Sequence, residues 1–547
     1  MKVRLFYGIN RTFARLFQVM KKYQKILLAI LSGLLLSAAW PTWGISPFVF
    51  IGLVPLLFVE DRIAKGEKGK VFWLASITFL VWNLITTWWI WNATPGAIAA
   101  WLLATLFMAV PFWLFHITKK RLCNNRWGTF LLIPFWMSYE LLTYHWAAKW
   151  PWLNLGNVFS SNVSWIQWYE YTGVAGGTLW ILLINILIFN IVDTVVSKEK
   201  KTNLILGIIT ILLIVAPIIY SETIYNGYEE KGDNVEVIVV QQNCDPWNEQ
   251  FDADFYDQTI KRNTLLAAPL MTSKTQFIVS SESAIQEGIW LDRLDQSESL
   301  QHFHSFMKEH PQAAFVIGGT TYEWVPKGME DDFPARHIMS TDRYYYCHNS
   351  ALLIDTVDVQ HRNKTQLAPG VEAIPEWMGF LKNWSVTMGI ARGTLKTDPA
   401  PHNMDFGGHT IAAAICYESA FGGYVREFTK KGADLIFVLT NDGWWGDTPG
   451  YKQHFEFSKL RAIENRRCVA RSANTGRSGF FNQRGDVLQQ TAYWQPDARR
   501  ETLKANTEVT FYAKHGDYLS HIALYITILL VIALGAKLFV DTINKKK

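Results

Sequence analysis

The chain has 547 residues, half of them hydrophobic, with 25 Trp and a formal net charge of +5. It is long enough for more than one domain and too apolar for a wholly water-soluble protein. Its Lys and Arg gather in certain loops rather than on one basic face, which argues against a nucleic acid partner, and five cysteines without a CxxC pair exclude a zinc framework or a dense disulfide scaffold.

Residues 1–23 interleave Lys2, Arg4, Arg11, Arg15, Lys21 and Lys22 with Phe6, Ile9, Phe13, Leu16, Phe17 and Met20 at helical spacing. This is the pattern of a basic amphipathic arm on an anionic cytoplasmic leaflet; a disordered basic tail is the alternative. A secretory signal is disfavoured, since no small-residue cleavage site follows and a second apolar run begins at once. Apolar runs of spanning length then fall near 24–41, 45–59, 71–92, 97–117, 127–146, 178–196 and 203–221, with a last run near 519–539. The expectation is a polytopic α-helical membrane domain over 24–221, and a final span with a basic tail over 519–547, about eight spans in all. Arg62 to Lys70, Lys119 to Arg126, Lys198 to Lys201 and Lys545 to Lys547 mark one side, while the loops near Thr42, Pro95 and Asn157 are nearly free of positive charge apart from Lys149. The positive-inside rule therefore puts both termini in the cytoplasm and residues 222–518 outside.

Tryptophans collect at the outer ends of the runs: Trp40 and Trp43; Trp88, Trp89 and Trp91; Trp146, Trp150 and Trp152. An interfacial aromatic belt explains them, and a vestibule for lipid head groups is the sharper reading. Glu140 reads as the one well-placed intramembrane carboxylate, a functional candidate or an anchor to His145 or Lys149. The scarcity of others argues against an ion-coupled transporter.

From about Asn234 the pattern changes to short β-rich runs alternating with helical segments, predicting an α/β domain. Strands are expected at 235–240, 276–280, 314–318, 351–355, 410–415 and 435–439, and helices at 254–271, 297–310, 424–431 and 451–467. The strand Thr410 to Ile415 ends on Cys416, a position from which a sulfur can be presented to substrate and backbone N–H groups to an oxyanion. The plain alternative is that Cys416 packs as a small hydrophobe. Two other strand ends offer Glu282 and Lys364, and a carboxylate, an ammonium and a thiol together make a complete acyl-transfer set. Glu287 competes with Glu282 for the carboxylate role. The segment from His454 to Arg467 reads either as a polar helix face or as ties between helix and sheet through Arg461, Glu464 and Arg471. Asn441, Asp442 and Trp445 follow a strand and are expected to shape the pocket mouth.

The constellation Glu282, Lys364 and Cys416 resembles the nitrilase, or carbon–nitrogen hydrolase, superfamily, whose domain is an α-β-β-α sandwich. With that domain enclosed between membrane spans, nearly the whole chain is similar to the apolipoprotein N-acyltransferases of bacterial lipoprotein maturation. The resemblance rests on Ile415-Cys-Tyr-Glu418, Leu439-Thr-Asn-Asp-Gly-Trp-Trp-Gly-Asp447, His454 through Arg461-Ala-Ile-Glu464 to Arg471-Ser-Ala-Asn-Thr-Gly476, and Glu140 followed by Pro151-Trp-Leu-Asn-Leu-Gly156. It implies Glu282 as general base, Lys364 as stabiliser of thiolate and oxyanion, Cys416 as nucleophile and Glu372 as a second essential carboxylate. Tyr417 and Glu418 match the residues after the nucleophile, and Trp247 matches a tryptophan lining the substrate pocket. The chain departs from the family pattern in Pro369-Gly-Val-Glu372 and in Ser281, where a proline is usual; both changes bear on loop shape and lipid preference. The implied reaction is ping-pong transfer of an acyl chain from a phospholipid, through a cysteine thioester, to the α-amine of a diacylated lipoprotein, by a monomer in the bacterial inner membrane with its catalytic domain periplasmic. It needs no metal or cofactor. A membrane-tethered amidase with the same three residues is the alternative, and a non-enzymatic lipid-binding scaffold is a more distant one.

Overall fold

A computed structural model describes residues 23–146, 149–196, 200–250, 252–338, 340–373 and 394–546. The proposed basic arm, apart from Tyr23, lies outside the described residues. Each predicted apolar run carries helix, but the helices differ in length. Ala97–Leu122, Val174–Val195, Leu204–Gly227 and Tyr518–Lys545 are long and apolar enough to cross a membrane by length and composition, and Tyr23–Ala39 and Val71–Thr87 are shorter apolar helices. Leu132–His145 has 14 residues. The second run is broken into Val49–Gly52 and Val54–Ala64. At that break Asn185 accepts from the Leu53 amide at 2.8 Å and donates to the Val49 carbonyl at 2.8 Å, so the interrupted backbone does not leave polar groups bare in an apolar setting.

Glu140 is not the sole buried carboxylate of this half. Glu60, fully buried, meets His116 Nδ1 at 2.7 Å and Lys119 Nζ at 2.6 Å, tying Val54–Ala64 to Ala97–Leu122. Composition hides such a charge because it falls at the end of an apolar run, next to the basic loop that follows.

Among the described residues the second half holds two sheets. One has the order β14-β1-β2-β4-β6-β5, with β3 on β4 and β7 on β6, where β1 is Asp233–Gln241, β2 Thr275–Val279, β3 Ile285–Trp290, β4 Ala314–Trp324, β5 Arg336–His337, β6 Tyr344–Ile354, β7 Val359–Asn363 and β14 Asp497–Ala505. The other runs β13-β12-β11-β10-β9-β8, comprising Met404–Phe406, His409–Ile415, Leu435–Thr440, Val469–Ala473, Gly479–Phe481 and Val487–Gln490 as β8 to β13. Strands β9, β10 and β11 are parallel.

Side-chain alternation sorts the sheets into layers. Ile411, Ala413 and Ile415 of β9 share an inter-sheet core with Leu435, Phe437 and Leu439 of β10 and with Val237, Val239, Phe277 and Val316 of the first sheet. The alternate residues, Ala412 and Ala414 with Ile436 and Val438, face the helices Gly422–Lys430 and Pro449–Asn465. The far side of the first sheet is covered by Tyr256–Ala267 and Glu298–Glu309. The architecture is the expected α-β-β-α sandwich, with strands buried on both faces and hence almost continuously apolar.

The helix Pro449–Asn465 is no polar outer face: His454, Arg461 and Glu464 are all buried, because this layer lies between the second sheet and the helical half. One continuous apolar core joins the two halves there. The tryptophans divide accordingly. Trp43, Trp88 and Trp91 are exposed, as an interfacial belt requires, whereas Trp40, Trp89 and Trp152 are buried. Trp152 packs on Trp89, Trp445 and Phe457 at centroid distances of 5.0, 5.8 and 4.9 Å, and its indole N–H donates to Gln453 at 2.8 Å.

Candidate active site

Three strand ends and the loops beyond them converge. Glu282 follows β2, Lys364 follows β7 and Cys416 follows β9, so each side chain is presented at a carboxyl end, where open α/β sheets form their crevices. Lys364 Nζ donates to Glu282 Oε1 at 2.9 Å and to Glu372 Oε1 at 2.8 Å. Asn349 Nδ2 bridges the same two oxygens at 2.8 and 3.0 Å. The remaining oxygens are also engaged: Glu282 Oε2 accepts from the Asn441 amide at 3.1 Å, and Glu372 Oε2 from the Ala368 amide at 2.8 Å. One ammonium between two carboxylates, almost wholly screened from solvent, is a fixed electrostatic centre rather than a surface ion pair.

The backbone explains the placement. The β6–β7 hairpin pairs Ser350 with Asn363, and one step on the Lys364 amide donates to the Asn349 carbonyl at 2.7 Å, which sets the two side chains together. Gly318 on β4 lets the Glu282 turn approach, since a Cβ there would meet the Glu282 Cα and the Ser283 nitrogen at 2.6 Å each. Cys416 has a φ of 49°, left-handed and unusual for a non-glycine residue, so β9 turns sharply at the sulfur.

Glu418 holds that turn. Fully buried, it accepts from the Ile415 amide at 2.8 Å, from the Thr365 amide at 2.6 Å, from the Tyr424 hydroxyl at 2.9 Å, and from both Arg362 terminal nitrogens at 2.7 and 2.9 Å. It thereby clamps the segment carrying Lys364 to the segment carrying Cys416. Burial pushes its carboxyl up, but the Arg362 guanidinium outweighs this and holds it below its ordinary value. Burial raises the Cys416 thiol well above the ordinary range, the Glu282 charge adds to this, and Lys364 opposes it. For Lys364 burial acts downward, yet the charges of Glu282 and Glu372 keep it firmly protonated. Sulfur and ammonium are accordingly both held in their protonated forms.

Of the other predicted residues, Asn441 belongs to the centre through its amide, and its side chain donates to Gln250 at 2.7 Å. Asp442 is fully buried and does not reach the mouth: it binds His454 Nδ1 at 2.9 Å and Arg471 at 2.7 Å. Trp445 packs between Trp89 and His454, at 4.7 and 5.6 Å, and its carbonyl accepts from Asn92 at 2.9 Å. The Tyr417 hydroxyl donates to the Lys149 carbonyl at 2.7 Å, and its ring stacks on Trp150. Trp247 is exposed and packs edge-on against Trp444, beside a cleft of about 300 Å³ also lined by Asn92, Tyr493 and Trp494. Glu140 stands apart. It accepts from Trp136 at 3.0 Å, the Leu155 amide at 2.7 Å and Thr178 at 2.6 Å, so its partners are neither His145 nor Lys149. Glu287 is occupied with Ser297 and the Ser299 amide at the start of Glu298–Glu309. All five cysteines are free thiols.

Sequence reasoning missed Asn349 and Arg362. Each lies on a strand, and only the pairing register brings it to the centre.

Comparison with known proteins bears on this geometry. Residues 32–187 match the family model described as apolipoprotein N-acyltransferase N-terminal domain, and residues 246–511 match that described as carbon-nitrogen hydrolase. An apolipoprotein N-acyltransferase of Chlorobaculum tepidum is 28% identical over 525 residues, covering 91% of this chain and 94% of its own. One of Geobacter metallireducens is 25% identical over 517 residues, covering 90% and 91%. Among solved structures, a variant of the Nesterenkonia AN1 amidase from the nitrilase superfamily aligns over 54% of this chain and 99% of its own, at 16% identity and a TM-score of 0.36. Both halves of the chain are thus matched, in order, by the two family descriptions, and relatives of one name align end to end: the chain belongs to the apolipoprotein N-acyltransferase family.

Proposed function

We propose that the protein transfers a fatty acyl chain from a phospholipid to the N-terminal α-amine of a diacylglyceryl-cysteine lipoprotein, by way of a thioester on Cys416. The observation that carries this reading is the buried Lys364 bridging Glu282 and Glu372 beside a thiol mounted on a left-handed turn. Because burial keeps the sulfur protonated, a base must act as attack occurs. Glu282 takes the thiol proton while sulfur attacks the ester carbonyl, and Lys364 with the Tyr417 amide stabilises the oxyanion. On collapse the C–O bond breaks, and Glu282 returns the proton to the departing lysophospholipid. The lipoprotein amine then attacks the thioester. A C–N bond forms, the C–S bond breaks, and the amine proton passes through Glu282 to the sulfur.

The surroundings suit this chemistry. The aromatic junction of Trp89, Trp150, Trp152 and Trp445 packs on Tyr417 and His454 beside the nucleophile turn and is suited to excluding water from the thioester. On the same reading the chain crosses the bacterial inner membrane about eight times, 24–221 and 519–547 forming the membrane domain and 222–518 facing the periplasm. Intact-protein mass spectrometry after incubation with a defined phospholipid tests the first half-reaction. The expected result is one acyl mass on wild type, removed by hydroxylamine and absent from Cys416→Ser. A folded wild type that takes up no acyl group from several phospholipids would leave the reading without support.

A further inference from the structure

Beneath Cys416 lies a buried polar cluster that the mechanism above does not use. His454 Nε2 is 3.2 Å from the Cys416 carbonyl oxygen and 2.9 Å from Ser419 Oγ, and Ser419 donates to the same carbonyl at 2.8 Å. On its other side His454 Nδ1 lies 2.9 Å from Asp442 Oδ1 and accepts from Arg471 at 3.0 Å. Asp442 accepts from Thr440 at 2.9 Å and from Arg471 at 2.7 Å. His454, Asp442, Ser419, Thr440 and Arg471 are all without solvent exposure.

We propose that His454, held at Nδ1 by Arg471, which Asp442 in turn binds, is a positioning residue for acylation: its Nε2–H, with Ser419, fixes the carbonyl of the Cys416–Tyr417 peptide and thereby aims the N–H of that peptide at the developing oxyanion. The inference deepens the acyl-transfer reading and rests on it. In the planar trans peptide C=O and N–H point in opposite directions, so a carbonyl anchored toward the His454 cluster sends its amide the other way. The strained φ of 49° at Cys416 needs such an anchor, because nothing intrinsic to a cysteine favours it. Hydrogen bonding at the carbonyl also polarises the peptide and strengthens its N–H as a donor. Donation from Nε2 to the nucleophile's own carbonyl leaves Nδ1 to accept from Arg471 at 3.0 Å, and a histidine buried only for packing needs neither partner.

The test compares two reactions of one sulfur in full-length protein in detergent. Acylation by a defined phospholipid passes through an oxyanion, whereas alkylation by iodoacetamide is a displacement that creates none. His454→Ala is expected to slow acyl-adduct formation by roughly 10- to 100-fold, less than the roughly 100- to 1000-fold of removing an oxyanion donor outright because the N–H is misaimed and not lost, while alkylation stays within about threefold. His454→Gln, which restores a donor near Nε2, should recover much of the loss. If His454→Ala does not yield folded protein, Ser419→Ala, which removes the other group on the same carbonyl, must show the same split. Acylation equal to wild type, or both reactions moving together, overturns the inference. A wild type that forms no adduct overturns the acyl-transfer reading and this inference with it, and the two failures are therefore distinguishable.

Discussion

Replacing Glu418 by Ala leaves the Arg362 guanidinium fully buried with no counter-charge, and it strips the acceptor from the amides of Ile415 and Thr365. Breaking one side of a buried ion pair costs about 3–5 kcal/mol, which lowers the folding equilibrium constant by roughly two to four orders of magnitude. Arg362→Met should cost less, because Glu418 keeps three backbone amides and the Tyr424 hydroxyl. The double variant Arg362→Met/Glu418→Ala should lose about 2 kcal/mol less than the sum of the singles, since no stranded charge remains. The pH dependence has a definite sign. The folded-state value of Glu418 lies below its ordinary 4.5, so its stabilisation is complete above that pH and is lost as pH falls through the depressed value. Denaturant titration of the detergent-solubilised protein, followed by tryptophan fluorescence, measures each term. A Glu418→Ala variant within about 1 kcal/mol of wild type that still acylates at full rate would refute the view that this pair clamps the lysine segment to the nucleophile turn.

Three further expectations follow from the same geometry. Gly318→Ala forces a Cβ to within 2.6 Å of the Glu282 backbone; thioester formation should fall by at least about tenfold while the folded protein is retained on size exclusion, and unchanged kinetics would contradict it. Alkylation of Cys416 by iodoacetamide should climb about tenfold per pH unit between pH 7 and 9 without a plateau, because burial and the Glu282 charge hold the thiol in its neutral form; a plateau below pH 7 would mean a standing thiolate. Glu140→Ala leaves the Trp136 indole, the Leu155 amide and the Thr178 hydroxyl without their acceptor, so it should lower stability by about 1–3 kcal/mol. It should nevertheless leave thioester formation on the surviving protein near wild type, as measured by adduct mass.

The sandwich was legible because β9 and β10 are apolar on both faces, a pattern that few other settings produce. By the same logic β11 escaped notice: Arg471 and Ser472 make Val469–Ala473 look polar, although every residue in it is buried. The thiol and the carboxylate could be found from their chemistry, since each follows an apolar run, whereas Lys364 follows the polar strand Val359–Asn363. Their supports could not, because Asn349 and Arg362 become neighbours of Lys364 and Glu418 only through the β6–β7 register and the burial of a loop. Asp442 was placed at a pocket mouth by its position after β10, yet it turns inward to Arg471 and His454, which come from a later strand and helix. In the helical half, hydropathy located each helix but did not resolve the break at Leu53 or the buried Glu60 cluster, both of which depend on side chains from other helices.

The most direct test of the central claim is a chase. Wild-type protein is acylated with a phospholipid carrying a labelled acyl chain, freed of donor, and then mixed with a synthetic diacylated lipopeptide, with protein and peptide masses followed together. The account predicts that the label leaves Cys416 and appears on the peptide amine as a hydroxylamine-resistant amide, at a rate no slower than overall turnover. Label that remains on the protein, or that appears only as free fatty acid, would contradict it.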